Sequence, residues 1–170
     1  MRLTPSSVCW LACLAFALAL PARAETIAVG QPAPVVVLPS LTEEGRTYDL
    51  AQLKGQVVYV DFWASWCGPC RVSFPIIDEI YQELAGRGFL VLAINVDEYP
   101  EDAMEFLEAL PVSYPVVRDA EGETPAAFGI IGMPTGFLID QQGTVVKIHQ
   151  GFRKSDADWL RKEILKLLES

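Results

Sequence analysis

The chain has 170 residues and carries 13 basic against 22 acidic side chains, a net charge of −9. That length holds one domain with a full core and is short for two. So acidic a composition offers no basic patch to neutralise phosphates, which excludes nucleic acid and anionic lipid as partners.

Residues 1–24 read as a secretory signal rather than as part of the domain, which is then residues 25–170. Arg2 and the amino terminus make a positive start, Val8 to Leu20 is an uncharged apolar run, and Pro21-Ala22-Arg23-Ala24 ends in the small residues a signal peptidase reads. The cut is expected between Ala24 and Glu25. The apolar run falls short of the roughly 20 residues a membrane span needs, which argues against an uncleaved anchor. Removal takes Arg2, Arg23, Cys9 and Cys13, so 11 basic against 22 acidic residues give −11, and two cysteines remain, Cys67 and Cys70. One close pair does not staple a domain of this size. It calls for a chemical role or one local bridge.

Beyond the signal, Gly30 to Leu53 reads as an extension. Gln31-Pro32-Ala33-Pro34 leads into an extended Val35–Leu38, and Glu44-Gly45 turns the chain into Arg46–Leu50. Val57 to Trp63 is β-branched and aromatic, apolar on both faces, as a central strand requires. Phe74, Ile77, Ile80 and Leu84 recur at helical spacing, and Gly86 and Gly88 end that helix. Phe89 to Val96 is a second buried strand. Pro100-Glu101-Asp102 opens a helix to about Leu110, its proline and acids suiting a first turn. Tyr114–Val117 reads as a short strand and Thr124–Phe128 as a short helix. Gly136–Asp140 and Thr144–His149 pair as a hairpin, and Asp156–Leu168 closes the chain as an amphipathic helix. Strands alternating with helices and ending in a hairpin predict an α/β fold.

The cysteines fall where the first central strand gives way to a helix, in Trp66-Cys67-Gly68-Pro69-Cys70. Free N–H groups and the positive dipole end of that helix would hold Cys67 as a thiolate. The spacing lets Cys70 attack a mixed disulfide formed at Cys67, so Cys67 reads as the nucleophile and Cys70 as the resolving thiol. Gly68 allows close approach of another chain, Pro69 suits a first helical turn, and Trp63 and Trp66 would form an apolar rim. Half of a zinc site and an inert local bridge are the competing readings. A structural zinc site usually takes four protein ligands, and the exported chain offers two thiols and one imidazole, His149.

Val60-Asp61-Phe62-Trp63-Ala64 and Trp66-Cys67-Gly68-Pro69-Cys70 resemble the active-site signature of thioredoxin almost letter for letter. Pro75 lies where thioredoxin helices carry a kinking proline, and Met133-Pro134-Thr135 where the family keeps a cis-proline loop facing the cysteines. The resemblance implies a thioredoxin-like fold, a central mixed sheet flanked by helices, and a cis Met133–Pro134 bond beside which a substrate strand pairs. Gly30-Gln31-Pro32-Ala33-Pro34, Leu53-Lys54-Gly55 and Pro134-Thr135-Gly136-Phe137-Leu138-Ile139-Asp140, with the N-terminal β extension and a strand-helix insertion near Asp97–Arg118, are similar to the exported TlpA/ResA-like thioredoxins. That similarity spans residues 30–168.

For this subgroup the resemblance implies a thiol-disulfide oxidoreductase of the bacterial cell envelope, periplasmic or otherwise outside the cytoplasm. It also implies exported disulfide-bearing clients, as in cytochrome c maturation or oxidase assembly. Electrons would come from a membrane thiol transporter. A monomer is expected, with no cofactor beyond the Cys67–Cys70 disulfide and no metal. The implied substrate-binding residues are Trp66, Gly68, Pro69, Met133 and Pro134. One position departs from the subgroup: Ser73 stands where many members carry a glutamate. Asp61, conversely, occupies the place of thioredoxin's buried acid. A carboxyl group in an apolar site exchanges protons nearer neutral pH, so Asp61 is assigned proton transfer to and from Cys70, against the alternative that it satisfies a backbone group. His149 reads as a surface or packing residue, Trp159 as core, and Glu101, Asp102, Glu105 and Glu108 as a solvated helix face. A disulfide oxidant or isomerase, and a metal-handling or binding module, are the remaining function classes.

Overall fold

A computed structural model describes residues 27–170; the expected signal and its cut lie outside them. A five-stranded sheet is formed by β3 (Val57–Trp63), β4 (Phe89–Asn95), β5 (Val116–Arg118), β6 (Thr135–Ile139) and β7 (Val145–Gln150), and a separate hairpin by β1 (Val37–Pro39) and β2 (Thr47–Asp49). The large sheet runs β5-β4-β3-β6-β7, with β3, β4 and β5 parallel and β6 and β7 antiparallel. It is the mixed sheet of a thioredoxin-like α/β fold.

Alternation within β3 explains why every residue of it is buried. Val57, Tyr59 and Trp63 enter a core completed by α1 (Cys70–Leu84), α2 (Pro100–Ala109) and α4 (Asp156–Leu168). Val58, Val60 and Phe62 enter a second core with Phe128 of α3 (Thr124–Phe128) and with Val36, Tyr48 and Leu50 of the extension. Each core is apolar on both sides of its layer, which is where most of the folding free energy resides. Trp63 belongs to the first core and is fully buried, so the apolar rim beside the sulfurs falls to Trp66 alone.

The extension covers both sheet edges. Leu41 donates its N–H to the Val116 carbonyl at 2.8 Å on the β5 side, while Gly30 donates to Val145 at 2.8 Å and Ala33 to Gly143 at 2.9 Å on the β7 side. Edge strands left open would template pairing with other chains.

Several boundaries differ from expectation, the extension strands being shorter, at Val37–Pro39 and Thr47–Asp49, and the second buried strand ending at Asn95. The hairpin strands start and stop one residue away from the expected limits, because the Asp140 carboxylate accepts the N–H groups of Gln142 and Thr144 and takes residues 140–144 into the turn. The short strand begins at Val116 rather than Tyr114, since Pro115 has no N–H to give a ladder. Gly88, at φ 95°, ends the helical stretch after α1, whereas Gly86 lies inside a single 3₁₀ turn. Trp159 is 36% exposed and packs on His149 rather than filling the core.

Candidate functional site

β3 delivers the chain to the end of the sheet at Trp63, and the next six residues turn into α1. Asp97, buried just past β4, fixes the first part of that turn. Its carboxylate accepts the Ser65 N–H at 2.9 Å, the Ser65 hydroxyl at 2.9 Å and the Asn95 amide at 2.7 Å. Successive tight turns follow: Cys67 donates its N–H to Ala64, Cys70 to Cys67 and Arg71 to Gly68.

Cys67 and Cys70 are joined in a disulfide, their Cα atoms 5.3 Å apart. Cys70, the first residue of α1, also points its N–H at the Cys67 sulfur at 3.2 Å. The N–H that opens the helix is thus shared between the Cys67 carbonyl and its sulfur, and a donor at the sulfur is the arrangement that stabilises a thiolate there. Cys70 is fully buried and Cys67 nearly so, while Gly68, Pro69 and Trp66 are exposed, Trp66 by 70%. Ser73 is buried and donates its hydroxyl to the Cys70 carbonyl, so it puts no charge near the sulfurs.

The β3–β6 register pairs Phe62 with Thr135, which sets Pro134 at the level of Trp63, the strand end from which the cysteine loop departs. The Met133–Pro134 bond is cis. Met133 packs against the core cluster that contains both cysteines, and Ile131, two residues earlier, is 86% exposed. Gly151 donates to the Pro134 carbonyl at 2.8 Å and ties this loop to the end of β7.

Asp61 is buried on the cysteine side of the sheet, and neither of its carboxylate oxygens has a hydrogen-bond partner. Burial pushes its carboxyl up to about 8. It accepts no hydrogen bond from a backbone group.

Asp97 and Tyr59, which the sequence did not single out, and His149, expected as a surface or packing residue, gather near this site. Tyr59 shares Asp61's face two residues upstream, a relation visible in the period-2 pattern of β3. Asp97 meets Ser65 across 32 positions, and no local pattern announces such a contact. Among the described residues no three His, Cys, Asp or Glu side chains cluster as a metal site would require.

A family model described as Redoxin matches residues 28–163. The chain belongs to the Redoxin family. The thiol-disulfide oxidoreductase ResA of Geobacillus thermodenitrificans (strain NG80-2) is 38% identical over 125 residues, covering 74% of this chain and 71% of that one. The ResA of Bacillus subtilis (strain 168) is 35% identical over 127 residues, covering 75% and 70%. A crystal structure from Chlorobium tepidum, described as a thiol:disulfide interchange protein DsbE, superposes with a TM-score of 0.80 at 43% identity and covers 84% of this chain and 99% of that one. This member of the thioredoxin superfamily is therefore a TlpA/ResA-like thiol-disulfide oxidoreductase, and its redox group is carried by its own cysteines.

Proposed function

We propose that this oxidoreductase reduces disulfides of exported proteins in the bacterial cell envelope. The observation that carries this reading is a Cys67–Cys70 disulfide at the start of α1, with the N–H of Cys70 on the Cys67 sulfur and an unpartnered acid, Asp61, buried on the same side of the sheet.

In the reduced protein the Cys67 thiolate attacks a client disulfide. One Cys67–client bond forms, the client's S–S bond breaks, and the first client thiolate leaves and takes a proton from water. Cys70 then gives its proton to the Asp61 carboxylate and attacks the Cys67 sulfur, forming the Cys67–Cys70 disulfide and releasing the second client thiolate. Two electrons pass to the client, and a membrane thiol transporter supplies two more by reducing the Cys67–Cys70 disulfide. Trp66 and Ile131 supply exposed apolar contacts on either side, Gly68 and Pro69 let the client chain approach, and the backbone at Met133, held by the turn at Pro134, accepts it as an added strand. Residues 1–24 serve as a cleaved export signal. The protein works as a monomer, with no nucleic acid partner and no added cofactor.

The Gly-Pro pair between the cysteines matches reducing thioredoxins, whose potential is about −270 mV. A redox titration of the pair, with trapping of its thiol state in cells, tests the direction. A mostly reduced pair at a potential near thioredoxin's supports the reading, whereas a mostly oxidised pair near about −120 mV makes the protein an oxidant. Cys70→Ala should accumulate mixed disulfides on Cys67 that identify the clients.

A further inference from the structure

Each catalytic round leaves a proton on Asp61, which the surrounding core isolates from water. We propose that Tyr59 and His149 form the path by which that proton leaves, running along the sheet face from Asp61 to the surface beside Pro69. This rests on the assignment of Asp61 as the proton acceptor of Cys70.

The sheet register provides the row. Asp61 of β3 pairs directly with Gly136 of β6, and Gly136 pairs directly with His149 of β7. Directly paired residues project to one face with Cβ atoms about 4.5–5.5 Å apart. Asp61 and His149 therefore flank the same glycine on the same side of the sheet. The space above that glycine is not empty, because a Cβ at position 136 would lie 1.9 Å from the Tyr59 hydroxyl oxygen. Tyr59 pairs with Leu138, one step along the ladder, and its ring leans diagonally to reach the gap. The one hydroxyl in this row thus stands between the carboxyl of Asp61 and the imidazole of His149.

The groups on either side of the hydroxyl are among the buried ones left without partners. Both Asp61 oxygens and the Nδ1 of His149 are buried and make no hydrogen bond. Buried polar atoms are normally paired, so unpaired ones on both sides of one hydroxyl call for an explanation, and a catalytic role is one. Neither group is hydrogen-bonded to the Tyr59 hydroxyl at rest, so transfer requires a rotation of Asp61 or an intervening water at each step. On the far side, Nε2 of His149 lies 3.3 Å from an Asp156 carboxylate oxygen. The backbone N–H of Arg153 holds that carboxylate below its ordinary range. Asp156 lines an open hollow with Pro69, Gly151 and Arg153, so the path ends at the rim of the cysteine loop. An imidazole suits the middle of such a chain, because one ring nitrogen accepts a proton as the other releases one.

Other ionisable groups face this space. Asp61, Asp78 of α1 and Tyr59 all act on Tyr114, in the loop before β5. Tyr114 packs against Phe74 and Tyr81, on the opposite side of Asp61 from β6 and β7, with its hydroxyl buried and unpartnered. It serves as the control.

The test uses the reduced protein mixed rapidly with an excess of a chromogenic aromatic disulfide. Attack by Cys67 releases the first coloured thiolate and resolution by Cys70 the second. Below pH 8 Asp61 holds a proton that must leave before it acts as a base. Tyr59→Phe and His149→Gln should each slow the second phase about tenfold there, part of the 10²–10⁴ of a complete general acid–base contribution. The first phase should stay within about twofold, the loss should fade above pH 8, and added imidazole buffer should restore the rate. Neither change should slow Asp61→Asn further, and Tyr114→Phe should behave as wild type. If Asp61→Asn slows resolution while Tyr59→Phe and His149→Gln do not, or if Tyr114→Phe is equally slow, the path is wrong and the role of Asp61 stands. If Asp61→Asn is itself normal at every pH, both fail.

Discussion

The Tyr59 hydroxyl occupies the volume that a side chain at position 136 would need, lying 1.9 Å from where a Cβ on Gly136 would sit, with the adjoining ring carbon at 2.2 Å. Gly136 has no positive φ, so its backbone would accept alanine, and space is the sole obstacle. Tyr59 is fully buried and cannot swing aside. Gly136→Ala should therefore destabilise the fold by about 1–3 kcal/mol or more, the usual cost of overpacking. Shortening the clashing side chain with Tyr59→Leu in the same background should recover part of that loss. Urea midpoints of the two variants, read by circular dichroism, decide the matter; an unchanged midpoint for Gly136→Ala would show that the Tyr59 ring is not held where it lies.

Asp61 should make stability depend on pH. Its carboxyl is raised from 3.8 to about 8 by burial, so the folded protein keeps a proton that the unfolded chain releases over that interval. The folded state is favoured below the unfolded value, and the advantage is lost as pH climbs from about 4 to about 8. Asp61→Asn removes this dependence. It should stabilise the oxidised protein at pH 7 by on the order of 2–4 kcal/mol, since each pH unit above the unfolded value costs the native acid about 1.36 kcal/mol and the unpartnered amide gives part of that back. The gain should shrink toward zero near pH 4. Thermal unfolding of both proteins across pH 4–9 measures it, and a gain that does not vary with pH would contradict the burial of a proton at this residue.

The sequence announced the two cysteines, the strand before them and the helix after them, because each is written in local spacing. Val57–Trp63 alternates into two cores, and α2 starts at a proline followed by acids. Asp61 stood out through the resemblance instead, because it occupies the place of thioredoxin's buried acid. Trp63 was misassigned to the rim because an aromatic next to a motif looks the same whether it faces solvent or core; the register decides which. The contacts that complete the site were illegible for a different reason. Asp97 reaches Ser65, and Gly136 joins Asp61 to His149, only after strands distant in the chain have paired. His149 read as a packing residue and does pack on Phe152 and Trp159, but its contact with Asp156 and its place opposite Gly136 follow only from the close of the chain onto α4 and from strand pairing.

The hold of Asp97 on Ser65 gives a third expectation. Asp97 is buried, and its two oxygens accept from the Ser65 backbone, the Ser65 hydroxyl and the Asn95 amide. Hydrogen bonds to a charged acceptor are worth about 1.5–3 kcal/mol, and Asp97→Ala leaves the donors unsatisfied as well. The variant should lose about 2–3 kcal/mol of stability. Because Ser65 lies two residues before Cys67, the loop should also loosen, and amide hydrogen exchange at residues 64–68 should quicken more than in the centre of β3. Asp97→Asn, which keeps an acceptor oxygen, should recover part of both effects. Equal exchange in the loop and the strand would mean that Asp97 supports the fold generally rather than the cysteine loop.

Trp66 differs from Trp63 in what its loss should do. Trp63 is surrounded by Phe74 and Phe106, so its replacement empties the core, whereas Trp66 stands 70% exposed beside Cys67. Surface substitutions away from special geometry stay within about 0.5 kcal/mol, so Trp66→Ala should leave the unfolding midpoint nearly unchanged. Its indole offers a client a large apolar face, and an aromatic anchor truncated at an interface centre costs about 2 kcal/mol or more. Reduction of a protein disulfide should therefore show KM raised on the order of tenfold or more with kcat little altered, as expected when binding shared by ground state and transition state is removed. A small disulfide that does not reach the indole should react at the wild-type rate. A fall in kcat for both substrates would instead place Trp66 in the support of the cysteine loop and remove it from the client-binding surface.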